Sequence, residues 1–245
     1  MNKFRSGILL YAIISLFYLS CGDGEDKKTD TDAKMADTTA VAPEPVVVNT
    51  ISTTPQNMVI IRHKVADFAK WQAAYDGHDS ARLANGLHNY VIGRGIADSN
   101  MVMIALKADD IAKAKAFAKD PGLKQAMQKG GVMGAPTVQY ETTFFQDTLK
   151  LTTQIRSMTQ FMVKDKDAWV KSFDEGKQER DDNGISARVI ATDADNNKKI
   201  MLVTALADTA KARAYWNSDA LKKRREAGGV IGVPERFVFQ VVKRY

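Results

Sequence analysis

Residues 67–86 read DFAKWQAAYDGHDSARLANG, and residues 165–184 read DKDAWVKSFDEGKQERDDNG. The shared pattern, Asp67-x3-Trp71-x4-Asp76-x5-Arg82-x3-Gly86, recurs 98 residues later without a gap. The same offset carries Val91-Ile92 to Val189-Ile190, and Asp110-x-Ala112-Lys113-Ala114-x-Ala116 to Asp208-x-Ala210-Lys211-Ala212-x-Ala214. It also carries Gly130-Gly131-Val132-x-Gly134-x-Pro136 to Gly228-Gly229-Val230-x-Gly232-x-Pro234. About twenty identities at one constant offset mark a duplicated unit.

Each copy reads as strand, helix, strand, strand, helix, strand. Met58–Lys64 is an apolar run of strand length. Asp67 is placed to cap a helix whose stripe is Phe68, Trp71, Tyr75, His78 and Arg82, in steps of three and four, stopped at Gly86. Leu87–Ile96 and Met101–Lys107 read as strands joined by a turn. Asp110 caps a helix over Ile111–Lys119, Pro121 restarts one to Lys129, and Thr137–Phe145 is the last strand. The second copy has strands near Thr159–Val163, Ile185–Thr192, Ile200–Leu206 and Arg236–Val242. This order gives an antiparallel four-stranded sheet with both helices on one face, the ferredoxin-like arrangement. The bare face needs a cover, and the second copy is available in the same chain. The fold class is therefore α+β, with two tandem ferredoxin-like βαββαβ repeats, 57–147 and 156–245, packed into one barrel.

The chain has 245 residues, a formal net charge of +6 and a single cysteine. A lone cysteine excludes a disulfide framework and a multi-cysteine metal site. Lys3 and Arg5 precede Gly7–Ser20 (GILLYAIISLFYLS), which is too short to cross ~30 Å of hydrocarbon but suits a signal-peptide core. The run ends at Leu19-Ser20-Cys21-Gly22, which resembles a bacterial lipobox, with Tyr18 where leucine is usual. That resemblance implies a signal peptide at 1–20, lipidation of Cys21, and an exported lipoprotein held by that lipid to the outer membrane, facing the periplasm or the cell surface. Residues 21–56 read as a disordered acidic linker: no aromatic residue, seven acids and three lysines. Its acidic start resembles the surface-export signals of Bacteroidetes lipoproteins. The remainder is basic, +3 over 57–155 and +5 over 156–245.

The duplicated unit resembles the dimeric α+β barrel superfamily, which includes antibiotic-biosynthesis-monooxygenase-like proteins. The residues that carry the resemblance are His63-x-Val65-x-Asp67-x3-Trp71, the Tyr75-Asp76 pair, and the Gly-Gly-Val-x-Gly-x-Pro element before each last strand. Members usually pair two chains, so the resemblance implies an intramolecular dimeric α+β barrel, a monomeric pseudo-dimer. It places a histidine at the position of His63. It also implies that an oxygenase of this kind works without metal or flavin. The Asn, Trp and His set of haem-degrading members does not map onto this chain, so no cofactor is expected.

The duplication separates residues that serve the fold from residues that serve a site. Trp71/Trp169, Asp67/Asp165 and Arg82/Arg180 occur in both copies and read as structural, the arginines reaching to solvent or to a carboxylate. His63, His78 and His88 occur only in the first copy, against Phe161, Gly176 and Ser186. His63 ends the first strand and is the candidate catalytic residue, its near-neutral pKa suiting proton transfer. His63, Trp71, Tyr75, His88, Tyr90 and Arg94 form the candidate ligand set. The histidines lack i,i+4 spacing and a nearby carboxylate run, so no metal is expected. The Gly-rich element reads as a turn needing positive φ, without the lysine of a phosphate loop. No aromatic-basic motif points to nucleic acid. Three functions remain: binding of a small apolar or aromatic ligand, a cofactor-independent monooxygenase or isomerase in the first copy, and protein interaction through Lys222-Lys223-Arg224-Arg225.

Overall fold

The computed structural model describes residues 49–245. The expected signal peptide at 1–20, Cys21 and the expected linker up to residue 48 lie outside the described residues. In each repeat the chain leaves its first strand and enters a helix at an aspartate in extended backbone. Asp67 caps α1 (Phe68–Gly77) and Asp165 caps α5 (Lys166–Glu175), each accepting a backbone amide at 2.7 Å. Asp110 and Asp208 cap α3 (Ile111–Phe117) and α7 (Thr209–Trp216). Asp120 and Ser218 cap α4 (Pro121–Lys129) and α8 (Asp219–Ala227). Each cap is worth about 1 kcal/mol and fixes where the helix starts.

The helix expected to run unbroken to Gly86 divides at His78 (φ −102°, ψ 17°), giving α1 and then α2 (Asp79–Ala84). The amide of His78 bonds to the Tyr75 carbonyl at 3.2 Å, a tightened turn that ends the first helix. Repeat 2 divides at Gly176, before α6 (Lys177–Asp182).

The strands are β1 (Ile51–Ser52), β2 (Gln56–Val65), β3 (Leu87–Gly95), β4 (Met101–Ala108) and β5 (Val132–Asp147), then β6 (Ile155–Val163), β7 (Ile185–Asp193), β8 (Asn196–Leu206) and β9 (Val230–Arg244). Repeat 1 orders them β5-β2-β4-β3 and repeat 2 orders them β9-β6-β8-β7. Antiparallel pairing of β3 with β9 and of β5 with β7 closes the two sheets into one barrel. The expected α+β barrel of two ferredoxin-like repeats is therefore the observed fold. No helix among the described residues is long and apolar enough to cross a membrane.

Two boundaries differ from the sequence reading. The linker yields its last residues to the sheet: β2 pairs with β5 only as far as Thr143, and Ile51–Ser52 takes up the free edge at Gln146–Asp147. The Gly-rich element is not a turn before the last strand but the start of a longer one. Gly134 and Gly232 (φ 71° and 70°) sit where the register slips, between Arg62 and Lys64 and between Gln160 and Met162. These are bulges, and only glycine accepts that φ without strain.

Strand alternation splits β2 between two compartments. Val59 joins the core under the helices, with Ile61 packed against it, whereas Met58 and Ile60 join Met103, Met158, Met201 and Phe239 in the barrel lumen. At the β3–β9 seam a Cβ on Gly93 would lie 2.3 Å from Cδ2 of Phe239. At the β5–β7 seam the equivalent positions are Ala191 and Glu141. Glu141 is 1% exposed, and neither carboxyl oxygen has a partner. Burial, reinforced by Asp193 and opposed by Lys199, lifts its pKa to about 8.

Gly93→Ala should cost about 1–2 kcal/mol, because the Phe239 ring must leave its seat. An unchanged urea midpoint would show that this close approach is no constraint. The folded chain keeps the Glu141 proton between about pH 4.5 and 8 while the unfolded chain releases it, so stability falls as pH rises through that window. Glu141→Gln should flatten that slope and stabilise the fold on the order of 2 kcal/mol at pH 8.5. Thermal unfolding at pH 5 and pH 8.5 reads the difference, and an undiminished slope would rule out this carboxyl as its source.

Candidate functional site

Between the sheet of repeat 1 and its helices lies a cleft of about 230 Å³. Its sheet wall is Val59, Ile61 and His63 of β2 with Val138 of β5, and its helix wall includes Trp71, Tyr75 and Ala126. His63 faces the helices because it continues the parity of Val59 and Ile61. The bulge at Gly134 lies opposite it on β5, where the ladder is interrupted.

His63 is 5% exposed, and neither ring nitrogen has a hydrogen-bond partner. Its ring meets Trp71 edge-on at 5.6 Å between centroids. Burial lowers its pKa to about 4, so it is neutral at neutral pH and carries one donor and one acceptor without partners. Trp71 stacks in turn on Tyr75 at 5.1 Å. The Tyr75 hydroxyl donates to Oδ1 of Asn89 at 2.5 Å, Nδ2 of Asn89 donates to Asp79 at 2.6 Å, and Arg82 donates to the same Asp79 oxygen at 3.1 Å. Burial pushes the Tyr75 hydroxyl well above its ordinary range, with Arg82 pulling the other way. The Arg82 guanidinium lies 3.7 Å from the centre of the Tyr75 ring, leaving its Nε without a partner. His78 stacks on Phe117 at 6.3 Å and also leaves Nδ1 unpartnered.

Of the two expected partners, solvent or a carboxylate, Arg82 takes the carboxylate, Asp79 at 3.1 Å, and neither Arg82 nor Arg180 reaches solvent. Both are buried cations over aromatic rings, Arg180 at 3.5 Å from the Phe173 centroid. Buried cations need a flat aromatic face or a carboxylate, and both repeats supply one.

The matching cleft of repeat 2 has only about 90 Å³. Phe161 replaces His63 and Phe173 replaces Tyr75. Trp216 stands where repeat 1 has Ala118, Arg224 where it has Ala126, and Arg236 where it has Val138. Arg224 enters over Gly176, where a Cβ would lie 2.7 Å from its side chain, and is held by Glu179 at 2.5 and 3.1 Å. Arg236 lies 3.9 Å from the Trp216 centroid and donates to Thr159 at 3.2 Å. The same fold is thus hollow in one repeat and filled in the other.

Of the candidate ligand set, His63, Trp71 and Tyr75 meet in the cleft. His88 does not: it is exposed at the start of β3 and bonds Asp109 at 3.0 Å. Tyr90 lines the barrel lumen instead. Arg94 lies by the β3–β4 hairpin, donating to the Ser99 carbonyl at 2.7 Å and covering Phe68 at 4.2 Å. Nor is 222–225 one solvated face, since Arg224 and Arg225 line the filled cleft. His78, Arg82, Phe117 and Ala126 belong to the site although the sequence reading left them out. The exchanges Ala126/Arg224 and His78/Gly176 at the common offset were the available signal.

No protein-family model matches the chain, and no curated protein matches it. Solved structures do. A candidate monooxygenase of Fusobacterium nucleatum aligns at 13% identity and a TM-score of 0.50, over 77% of this chain and 93% of that one. An anthrone oxidase-like protein aligns at 11% identity and a TM-score of 0.51, over 77% of this chain and 92% of that one. A ferredoxin-fold protein of Listeria monocytogenes, related to antibiotic biosynthesis monooxygenases, aligns at 8% identity and a TM-score of 0.43, over 78% and 97%. At these identities the likeness is one of fold alone, an α+β fold shared with the candidate monooxygenase and the anthrone oxidase-like protein.

Proposed function

We propose that the repeat-1 cleft binds a compact, mainly apolar, aromatic small molecule carrying one polar group. The observation that carries this reading is the difference between about 230 and 90 Å³ in two copies of one fold. An apolar cavity of about 150 Å³ takes up benzene, so the larger cleft suits one or two fused rings. Trp71 and Tyr75 offer ring faces. His63 offers a donor and an acceptor whose burial without partners costs about 1–3 kcal/mol until a ligand hydroxyl satisfies them.

Binding is favoured over oxygenation by the basicity of His63. A phenol releases its proton near pH 10, whereas His63 holds one only below about pH 4. Proton transfer to His63 would be uphill by ~6 units, about 8 kcal/mol, before any oxygen chemistry began. The cleft's hydrogen bonds therefore serve recognition. The reading places this binding module at a membrane, with Cys21 as the lipid-bearing residue and the acidic segment after it as a tether.

Equilibrium dialysis of the full chain with 2-naphthol tests the cleft. Ala126→Phe should weaken binding at least tenfold by filling the space, with the unfolding temperature kept. The parent should bind undiminished from pH 8 down to about 5, since His63 stays neutral there. Equal binding by Ala126→Phe would sink the proposal. For the anchor, Cys21→Ala should abolish metabolic labelling by palmitate and release the protein from the membrane fraction, and a labelled, sedimenting variant would exclude that role.

A further inference from the structure

The barrel lumen holds a second cavity, of about 550 Å³, on the opposite face of the sheet from the cleft. That volume is in the range of ligand pockets. Its walls are apolar and rich in methionine: Met58, Met103, Met158 and Met201, with Phe239 and Val241. Thioether side chains repack around a flexible guest more readily than branched ones.

The charges gather at one end. There the starts of β2, β3, β6 and β7 and the ends of β5 and β9 meet the segment joining the repeats. Lys150, Arg156, Arg188 and Arg244 line the cavity against one carboxylate, Asp147. Asp147 is already engaged by Arg188 at 2.7 Å. Arg156 is 4% exposed and has no carboxylate partner; its Nη1 donates only to the carbonyls of Thr153 and Ile155, both at 2.9 Å. Burial, with Arg244 and Arg188 adding repulsion, brings its pKa down to about 10. The three arginines are peculiar to repeat 2. Arg156 stands where repeat 1 has Met58, Arg188 where it has Tyr90, and Arg244 where it has Gln146. A cation buried at the mouth of an apolar cavity is costly until an anion joins it.

We propose that the lumen binds a long-chain monocarboxylate, its alkyl chain among the four methionines and its carboxylate on Arg156 and Arg244 at the mouth. A guanidinium fork matches a carboxylate in plane and in charge, and one free buried arginine calls for one negative charge. The chain would enter headgroup-last from the end crossed by residues 148–154. This site shares no lining residue with the cleft and stands or falls independently of it.

Calorimetric titration of the full chain with dodecanoate, at pH 7.5 and without detergent, tests the site. One dodecanoate should bind per chain, and dodecanol should bind at least tenfold more weakly. Arg156→Met, which installs the repeat-1 residue, should weaken dodecanoate by about tenfold or more, as should Ala105→Phe, which fills the lumen. Arg244 is exposed, so Arg244→Gln keeps the fold and should still weaken binding severalfold while reducing its salt dependence. If Arg156→Met or Ala105→Phe does not fold, Arg244→Gln decides. Ala126→Phe in the cleft should leave dodecanoate binding unchanged. The proposal is overturned by absence of binding, by equal affinity for dodecanol, by Arg244→Gln binding as the parent does, or by loss of binding in Ala126→Phe.

Discussion

The two seams, β3 on β9 and β5 on β7, hold apart everything else in this molecule. A four-stranded sheet with helices on one face leaves the other face bare and both edges unpaired. Pairing β3 with Phe239–Arg244 of β9, and β7 with Glu141–Gln146 of β5, joins the edges of one repeat to those of the other and encloses both bare faces at once. The seam geometry is demanding. Gly93 must lack a side chain for Phe239 to lie against it, and the equivalent position of repeat 2 holds a small residue, Ala191. The closed barrel therefore has three interiors: one cleft under the four helices of each repeat and one shared lumen.

Duplication lets these interiors diverge. The caps, the buried tryptophans and the glycine bulges are kept twice because each repeat needs them to form its own sheet and helices. Their packing is not free to change. The residues between them are, and in repeat 2 they were exchanged for Trp216, Arg224 and Arg236, whose partners are all within reach. Each of those side chains has an aromatic face or an oxygen to answer it, so the filled cleft is a structural core. Repeat 1 has alanine at two of these three positions and valine at the third, and its cleft stays open.

How much of this was readable from residues alone follows from distance along the chain. The βαββαβ order was legible because caps, stripe and strands are local, and the offset repeated each of them. The placement of His63, Trp71 and Tyr75 together was legible too, since strand end and helix stripe face each other within one repeat. Tyr90 was misassigned because parity fails there. The register of β3 against β4 shifts between Asn89 and Val91, so Tyr90 turns to the lumen and His88 stays outside. The break at His78 was hidden because a stripe in steps of three and four survives a tightened turn. The cationic mouth was not legible: Arg156 and Arg244 lie 88 residues apart on β6 and β9, which only sheet pairing makes neighbours, and the β5–β7 seam brings Asp147 of repeat 1 to Arg188.

The unpartnered buried groups follow the same division. Among the described residues they are His63, His78 and Arg82 in the open cleft, and Arg62, Gln139, Glu141 and Gln160 on the lumen side of the sheets. None lies in the filled cleft of repeat 2. A buried polar atom without a partner costs about 1–3 kcal/mol, and a protein only marginally stable does not carry several of them in a sealed core. The three in the cleft border its open space, whereas Arg62, Gln139 and Gln160 are paired through another atom, Arg62 with Glu235 and the two glutamines with each other. The cleft of repeat 1 is thus where buried polar atoms face open space, and its counterpart in repeat 2, occupied by Trp216, Arg224 and Arg236, has none.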